Sequence, residues 1–170
     1  MSVGELITVL LIVMPALFAA ASLFTHAPGR RIVAALAGGL VAAFIGAMLD
    51  AVGHGLGLWY YVTASPDHAP WPVYAAAGFL QGAIALAGWR IRLRFDYFGL
   101  VLWIAAAAAG LTIQDYVAAA IGPKVQIIAS GIAPAIGDLV VWSIVTSLTF
   151  LLMTGLASPG KAEQTHERFA

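Results

Sequence analysis

Five long apolar segments, separated by short joints rich in glycine and proline, limit most strongly how this chain can fold. They cover residues 6–24, 32–52, 72–89, 98–121 and 127–154. Each is about as long as the roughly 20 residues that a helix needs to cross a bilayer core. Lipid offers no hydrogen bonds to the backbone, and the segments are too long and too uniformly apolar for barrel strands. The sequence therefore predicts an all-α integral membrane protein, a bundle of five transmembrane helices.

The composition supports this prediction, and from the length we expect one membrane domain without a separate soluble one. Hydrophobic residues make up 62% of the chain and charged residues 9%, whereas a soluble domain carries about 25% charged residues. We expect residues 1–157 to form a single five-helix transmembrane domain and residues 158–170 a short polar tail. No Lys or Arg precedes the first segment, and Glu5 is acidic. The first segment is therefore interpreted as a span rather than a signal peptide.

The distribution of cations predicts the orientation. The alternate joints and the tail carry Arg30 and Arg31, then Arg90, Arg92 and Arg94, then Lys161 and Arg168. Seven of the eight Lys and Arg residues thus fall on one side of a five-span bundle, and Lys124 alone falls on the other. The positive-inside rule places the N-terminus outside and the C-terminus in the cytoplasm. The predicted location is a bacterial-type inner membrane, crossed several times.

Several kinds of site and partner are disfavoured by the composition. A formal net charge of zero gives no reason to expect nucleic-acid binding. The chain has no cysteine, which excludes thiolate metal sites and cysteine nucleophiles. Three of the four histidines lie in joints or the tail and His54 is the one intramembrane histidine, so a bis-histidine haem is not expected within one chain. We predict no metal site, and the sequence identifies no cofactor.

Polar residues inside the apolar segments are the candidates for a functional site, because ionisable groups at membrane depth are expensive and usually functional. They are Asp50, His54, Asp115 and Asp138, with Gln81 and Gln114 as neutral companions. At 1.5 Å per residue, Asp50 lies roughly 28 Å along its helix from the cytoplasmic side. The same estimate places Asp115 and Asp138 in the outer half, with Gln81 near the middle. The predicted site therefore lies in the outer half of the bundle.

Asp50 and His54 are one helical turn apart, so the carboxylate can pair with the imidazole. The alternative interpretation is that both are solvated at the frayed end of a glycine-rich helix. Asp115 lies near the same boundary and has the same alternative.

Asp138 belongs to a polar stripe on the last helix. Its members recur every four residues: Ser130, Pro134, Asp138, Trp142 and Thr146. A carboxyl group at this depth must find a donor, hold a proton or face water. We predict that the stripe faces the bundle interior, that Trp142 lies beside Asp138 in a cavity, and that Gln81 is the neutral partner of Asp138.

Two further patterns predict packing and surface. Gly78 and Gly82 are four residues apart, a spacing that lets helix backbones approach closely. Four aromatic residues are expected to form a belt at the outer membrane surface: Trp59, Tyr60, Tyr61 and Trp71. Of these, Trp59 is also a candidate ligand contact.

One short stretch resembles a known family. Asp50 is followed by Gly57 seven residues later, by Trp59 nine residues later and then by Tyr60. This spacing is similar to that in the small membrane-bound lycopene cyclase subunits of bacterial carotenoid synthesis. The resemblance implies a lipophilic ligand of isoprenoid or carotenoid type. In those subunits the next helix begins with Pro-x-Glu-Glu. Residues 72–75 of this chain are Pro-Val-Tyr-Ala, so this chain lacks those two acidic residues.

The leading functional hypothesis is a protein that binds a lipophilic small molecule, or a partner membrane subunit, in the outer half of the bundle. The ligand-contact candidates are Gln81, Asp115, Asp138, Trp142 and Trp59. The second hypothesis is a membrane enzyme using Asp50, His54 and Asp138 in acid–base chemistry on an isoprenoid or lipid. The third is a small proton-coupled transporter in which Asp115 and Asp138 titrate.

Overall fold

The fold is helical, with a short two-stranded ribbon. A computed structural model describes residues 2–62, 65–121 and 125–158. The elements are α1 (Val3–Thr25), α2 (Gly29–Gly55), β1 (Trp59–Tyr61), α3 (Trp71–Ile121), β2 (Gln126–Ile128) and α4 (Ile132–Leu156). Within these ranges, four helices are long and apolar enough to cross a membrane. The prediction of a helical fold with several helices able to cross a membrane is therefore confirmed.

The helix count differs from the prediction of five because α3 contains two of the predicted segments. This element is 51 residues long and leaves helical geometry only at Phe95 (φ −129°, ψ 15°) and Asp96 (φ 55°, ψ −157°). The Trp103 Nε1–H donates to the carbonyl oxygen of Ile84 at 3.0 Å. In a straight helix these two residues would be about 28 Å apart. The halves 71–94 and 97–121 therefore fold back on each other at a two-residue break.

The last helix begins later than the predicted start at residue 127. Residues 126–128 form strand β2 instead of helix, and β2 pairs with β1 in an antiparallel register of Trp59 with Ile128 and Tyr61 with Gln126. Aromatic and β-branched side chains favour such paired strands. α4 then starts at Ile132. Lys124 and nearly all of the predicted tail, residues 159–170, lie outside the described residues.

The ribbon also changes the predicted aromatic belt. Trp59 and Tyr61 are only 3% and 8% exposed, whereas Tyr60 is 46% exposed. Successive side chains of a strand point to opposite faces, so β1 directs two of its aromatic residues inward. A Cβ atom at Gly53 would overlap the Trp59 indole. The prediction of a surface position for Trp59 and Tyr61 is therefore wrong.

Glycines set the spacing between α2 and α3. A Cβ atom at Gly39 would overlap the carbonyl oxygen of Gly78 and lie 2.9 Å from the backbone nitrogen of Gly82. A Cβ atom at Gly82 would lie 3.1 Å from the carbonyl oxygen of Ala35. The prediction that Gly78 and Gly82 face a close neighbouring helix is confirmed, and Gly39 is the residue opposite them.

The two ends of the bundle differ in chemistry. At one end, which we call the arginine end, Arg31 lies over the Trp89 ring at 4.7 Å, and Arg92 contacts Tyr97. A buried apolar core that includes Leu86 and Met153 lies toward this end. The opposite end, which we call the ribbon end, carries β1 and β2. Polar residues inside the bundle concentrate toward the ribbon end.

Candidate functional site

A cavity of about 300 Å³ lies inside the bundle next to the ribbon. All four helices and the ribbon segments contribute side chains, and most of the wall is formed by alanine, leucine and valine. The polar and aromatic part of the wall comprises Asp50, Tyr61, Tyr74, Gln81, Gln114, Asp115, Gln126, Asp138 and Trp142. Mostly apolar cavities with a few convergent polar groups are the usual form of small-molecule sites.

Asp50 is held by two tyrosines. Its Oδ2 accepts hydrogen bonds from the hydroxyls of Tyr74 at 2.6 Å and Tyr61 at 2.9 Å. The Tyr74 oxygen in turn accepts from the backbone N–H of Ala69 at 2.9 Å. Burial and the adjacent Asp50 carboxylate raise the pKa of Tyr61 above its ordinary value, so its hydroxyl stays protonated and donates. This network fixes a carboxyl group at the cavity wall.

The predicted pairing of Asp50 with His54 is replaced by this tyrosine network. His54 Nδ1 is buried and has no hydrogen-bond partner among the described residues. The side chain of His54 is not part of the cavity wall. The spacing of four residues allows the contact, but β1 and α3 bring two tyrosine hydroxyls to Asp50 Oδ2 instead.

Asp115 and Trp142 connect α3 to α4. The Trp142 Nε1–H donates to Asp115 Oδ2 at 2.8 Å. Trp142 lies one turn after Asp138 on α4, so the indole occupies the wall next to that residue. Asp115 is half-buried and lines the cavity rather than projecting into bulk solvent.

Asp138 lies on the cavity wall and is 7% exposed. The hydroxyl of Thr112 is close to its carboxyl group. Within the described ranges, however, neither Asp138 Oδ2 nor Thr112 Oγ1 has a hydrogen-bond partner. A buried polar atom without a partner loses roughly 1–3 kcal/mol relative to a satisfied one. Asp138, a residue of the cavity wall, therefore has a buried carboxyl oxygen that no described donor satisfies.

Gln81 is fully buried and hydrogen-bonds to α4, but its partner is Thr146 rather than the predicted Asp138. Its Oε1 accepts from the Thr146 hydroxyl at 3.3 Å, while its Nε2 has no partner among the described residues. The predicted bond from Gln81 to Asp138 is therefore not formed. The physical reason is depth, because Thr146 lies two turns beyond Asp138 along α4, roughly 12 Å deeper.

The structure brings together most of the residues proposed from the sequence. Six of them line the same cavity: Asp50, Gln81, Gln114, Asp115, Asp138 and Trp142. Among the other candidates, Trp59 packs behind the wall, against Gly53 and Gly137. The sequence did not identify Tyr61 and Tyr74 as hydrogen-bond donors to Asp50. The available signal was the two-residue alternation around Tyr60, which indicates that Tyr61 faces the same side as Trp59.

The cavity is closed toward the arginine end. Its deepest described lining residues include Gln81 and Val145. Beyond them, Leu86, Phe150 and Met153 are buried in an apolar cluster. The site is thus a blind pocket with carboxyl groups near the ribbon and an apolar floor.

The chemistry available in this pocket is that of carboxyl, amide, hydroxyl and indole groups. Three carboxyl groups can accept hydrogen bonds, hold a proton or neutralise a cation. Comparison with family models, with curated proteins and with solved structures gives no match to this chain.

Proposed function

We propose that this protein binds a lipophilic small molecule in the cavity between its transmembrane helices. The observation that carries the proposal is a blind, mostly apolar cavity of about 300 Å³ that contains buried polar atoms without partners. Gln81 and Asp138 line the cavity, and among the described residues Gln81 Nε2 and Asp138 Oδ2 are buried atoms without a hydrogen-bond partner. A ligand with an apolar body and a polar group would fill the space and satisfy them.

The proposed membrane arrangement is five crossings, with the N-terminus outside and the C-terminus in the cytoplasm of a bacterial-type cell. The antiparallel halves of α3 support two crossings from this one element. The proximity of Arg31, Trp89 and Arg92 at one end supports a common side for the first and third predicted joints. The cytoplasmic side is then the arginine end, and the cavity lies in the outer half.

Reporter fusions test this arrangement. A reporter fused after Pro66 should indicate the periplasm, and a reporter fused after Arg92 should indicate the cytoplasm. The reason is that the first half of α3, residues 71–94, runs from the ribbon end to the arginine end. Paired alkaline phosphatase and fluorescent protein fusions measure the two sides, and the same side for both would contradict five crossings.

The isoprenoid or carotenoid class of ligand rests on the resemblance over residues 50–60. Asp50, the first residue of that motif, lines the cavity and is held by Tyr61 and Tyr74. Tyr74 lies where the cyclase subunits carry an acidic residue, so a phenol stands in place of a carboxylic acid. This difference favours binding of an isoprenoid over its cyclisation.

Filling the cavity should remove the ligand without unfolding the protein. A Cβ atom at Gly46 would meet Val145 Cγ2 at 3.7 Å, an ordinary contact, and Gly46 lines the cavity. We therefore expect Gly46→Leu to melt within a few degrees of the parent and to lose the lipophilic molecule that co-purifies in mild detergent. Mass spectrometry of organic extracts measures the loss.

Gly110→Leu is the matched control, because a Cβ atom at Gly110 meets nothing within 4 Å. That variant should retain the co-purifying molecule. Equal recovery from both variants would contradict binding in this cavity. Recovery of a second membrane subunit, in place of a small molecule, would favour the partner-binding alternative.

A second candidate function is acid–base catalysis on a membrane lipid or isoprenoid. It is favoured by one observation: Asp50, Asp115 and Asp138 come from three elements and line one apolar cavity. General acid–base chemistry requires such groups near the substrate. If the protein is an enzyme, the molecule extracted with Asp138→Asn should differ chemically from that extracted with the parent, because substrate replaces product. The blind floor of the cavity makes transport the weaker alternative.

A further inference from the structure

We propose that the ligand of this cavity is a lipophilic cation, an apolar chain or ring system that carries an amine or quaternary ammonium group. This inference rests on the proposed binding of a lipophile in the cavity, and it gives that lipophile a positive charge, which a hydrocarbon isoprenoid or carotenoid lacks. It depends on the charges of the wall, on the aromatic side chains among them and on a buried carboxyl oxygen, Asp138 Oδ2, that has no donor among the described residues.

The charge of the wall comes entirely from acidic residues in the described part of the chain. Asp50, Asp115 and Asp138 line the cavity, and no Lys, Arg or His does so among the described residues. An anionic ligand would place like charges together in a medium of low dielectric constant, which is strongly unfavourable. A cation would neutralise a carboxylate that is otherwise costly to keep buried.

Aromatic rings stand among these carboxyl groups. Tyr61, Tyr74 and Trp142 line the same cavity. The face of an aromatic ring attracts a cation within about 6 Å of its centroid, and quaternary ammonium groups are commonly recognised in this way. The combination of acidic and aromatic side chains is therefore selective for an ammonium group over a neutral or anionic one.

The contact point is Asp138. The Oδ2 atom of Asp50 accepts from two tyrosines, and that of Asp115 accepts from Trp142. Asp138 Oδ2 is buried and has no donor among the residues described. Gln81, an amide outside the acidic cluster, lines the same cavity and independently has a buried Nε2 without a partner among the described residues, which can bond a second polar atom of the ligand.

Three probes with the same ten-carbon chain separate the effect of charge from that of apolar surface. They are decyltrimethylammonium, decanol and decanoate. The full chain is reconstituted in lipid nanodiscs, and saturable binding of each radiolabelled probe is measured above the background of empty nanodiscs. We expect the cation to bind about tenfold more tightly than decanol or better, with decanoate weakest.

Asp138→Asn keeps the side-chain shape and removes the charge. It should weaken cation binding by about tenfold or more, since removing one member of a buried charge pair is costly. A melting temperature in nanodiscs equal to that of the parent shows that the variant is folded. Asp96→Asn is the matched control: it makes the same change of net charge at an exposed turn far from the cavity, and it should bind all three probes like the parent.

Each other outcome has a definite meaning. Equal binding of the cation and decanol, unaffected by Asp138→Asn, would overturn the charge inference and leave lipophile binding intact. Tightest binding of decanoate would also overturn it. Binding of no probe above the background of empty nanodiscs would overturn both the inference and the proposed function.

Discussion

Replacing Gly39 with Leu should lower the unfolding free energy by about 3 kcal/mol or more, at the upper end for overpacked cores. Even a Cβ atom at this position would overlap the carbonyl oxygen of Gly78 and crowd the backbone of Gly82. Both neighbours are backbone atoms of a packed helix, so they cannot rotate away as a flexible side chain could. α2 and α3 must therefore separate. Denaturant titration in detergent micelles, followed by circular dichroism, measures the change.

Gly110→Leu controls for the chemical change alone. Gly110 is an exposed glycine inside α3, and a Cβ atom there would meet nothing within 4 Å. Its replacement should therefore be neutral or stabilising by up to about 1 kcal/mol through helix propensity. If the Gly39 and Gly110 variants unfold alike, the close approach of α2 and α3 does not exist in the membrane protein.

Replacing Trp59 with Ala should cost about 3–5 kcal/mol, as for other large aromatic residues removed from a core. Trp59 is 3% exposed and fills the space over Gly53 and beside Gly137. Its strand also carries Tyr61 to Asp50, so the loss should loosen the cavity wall as well. The same denaturant titration measures the free energy of unfolding. The amount of co-purifying ligand shows whether the cavity wall is intact.

Trp71→Ala is the matched control, because Trp71 is 54% exposed and stacks on the surface residue Phe44. It should cost no more than about 1.5 kcal/mol. A double-mutant cycle sharpens the test. Gly53→Ala should destabilise the parent, since a Cβ atom there overlaps the indole, and should cost much less in the Trp59→Ala background. Additive effects would show that the two residues are not in contact.

The membrane character and most helix positions follow from the sequence, because they depend on local properties. A long apolar run must become a helix in lipid, whatever its neighbours are. Thus α1 and α2 extend only a few residues beyond segments 6–24 and 32–52. The depth of Asp50, Asp115 and Asp138 is also local, because it depends only on helix rise and the nearest cations. These residues were therefore expected near one another and do line one cavity.

The hydrogen-bond partners of the residues that line the cavity could not be predicted from local properties. A helical spacing of four predicts that Asp50 can reach His54, yet Tyr61 and Tyr74 hold it, because the ribbon and α3 bring their hydroxyls to the same oxygen. Gln81 bonds Thr146 rather than Asp138 because the relative heights of α3 and α4 depend on packing.

The β ribbon shows the same limit most clearly. Residues 126–128 are apolar enough to continue a transmembrane helix, and only the antiparallel pairing with residues 59–61 makes them a strand. Hydropathy determines which residues leave water, and the sequence alone was sufficient for that. Which backbone and side-chain groups then meet was decided by the tertiary structure, because hydrogen bonds and close packing depend on the rotation and height of each element relative to its neighbours.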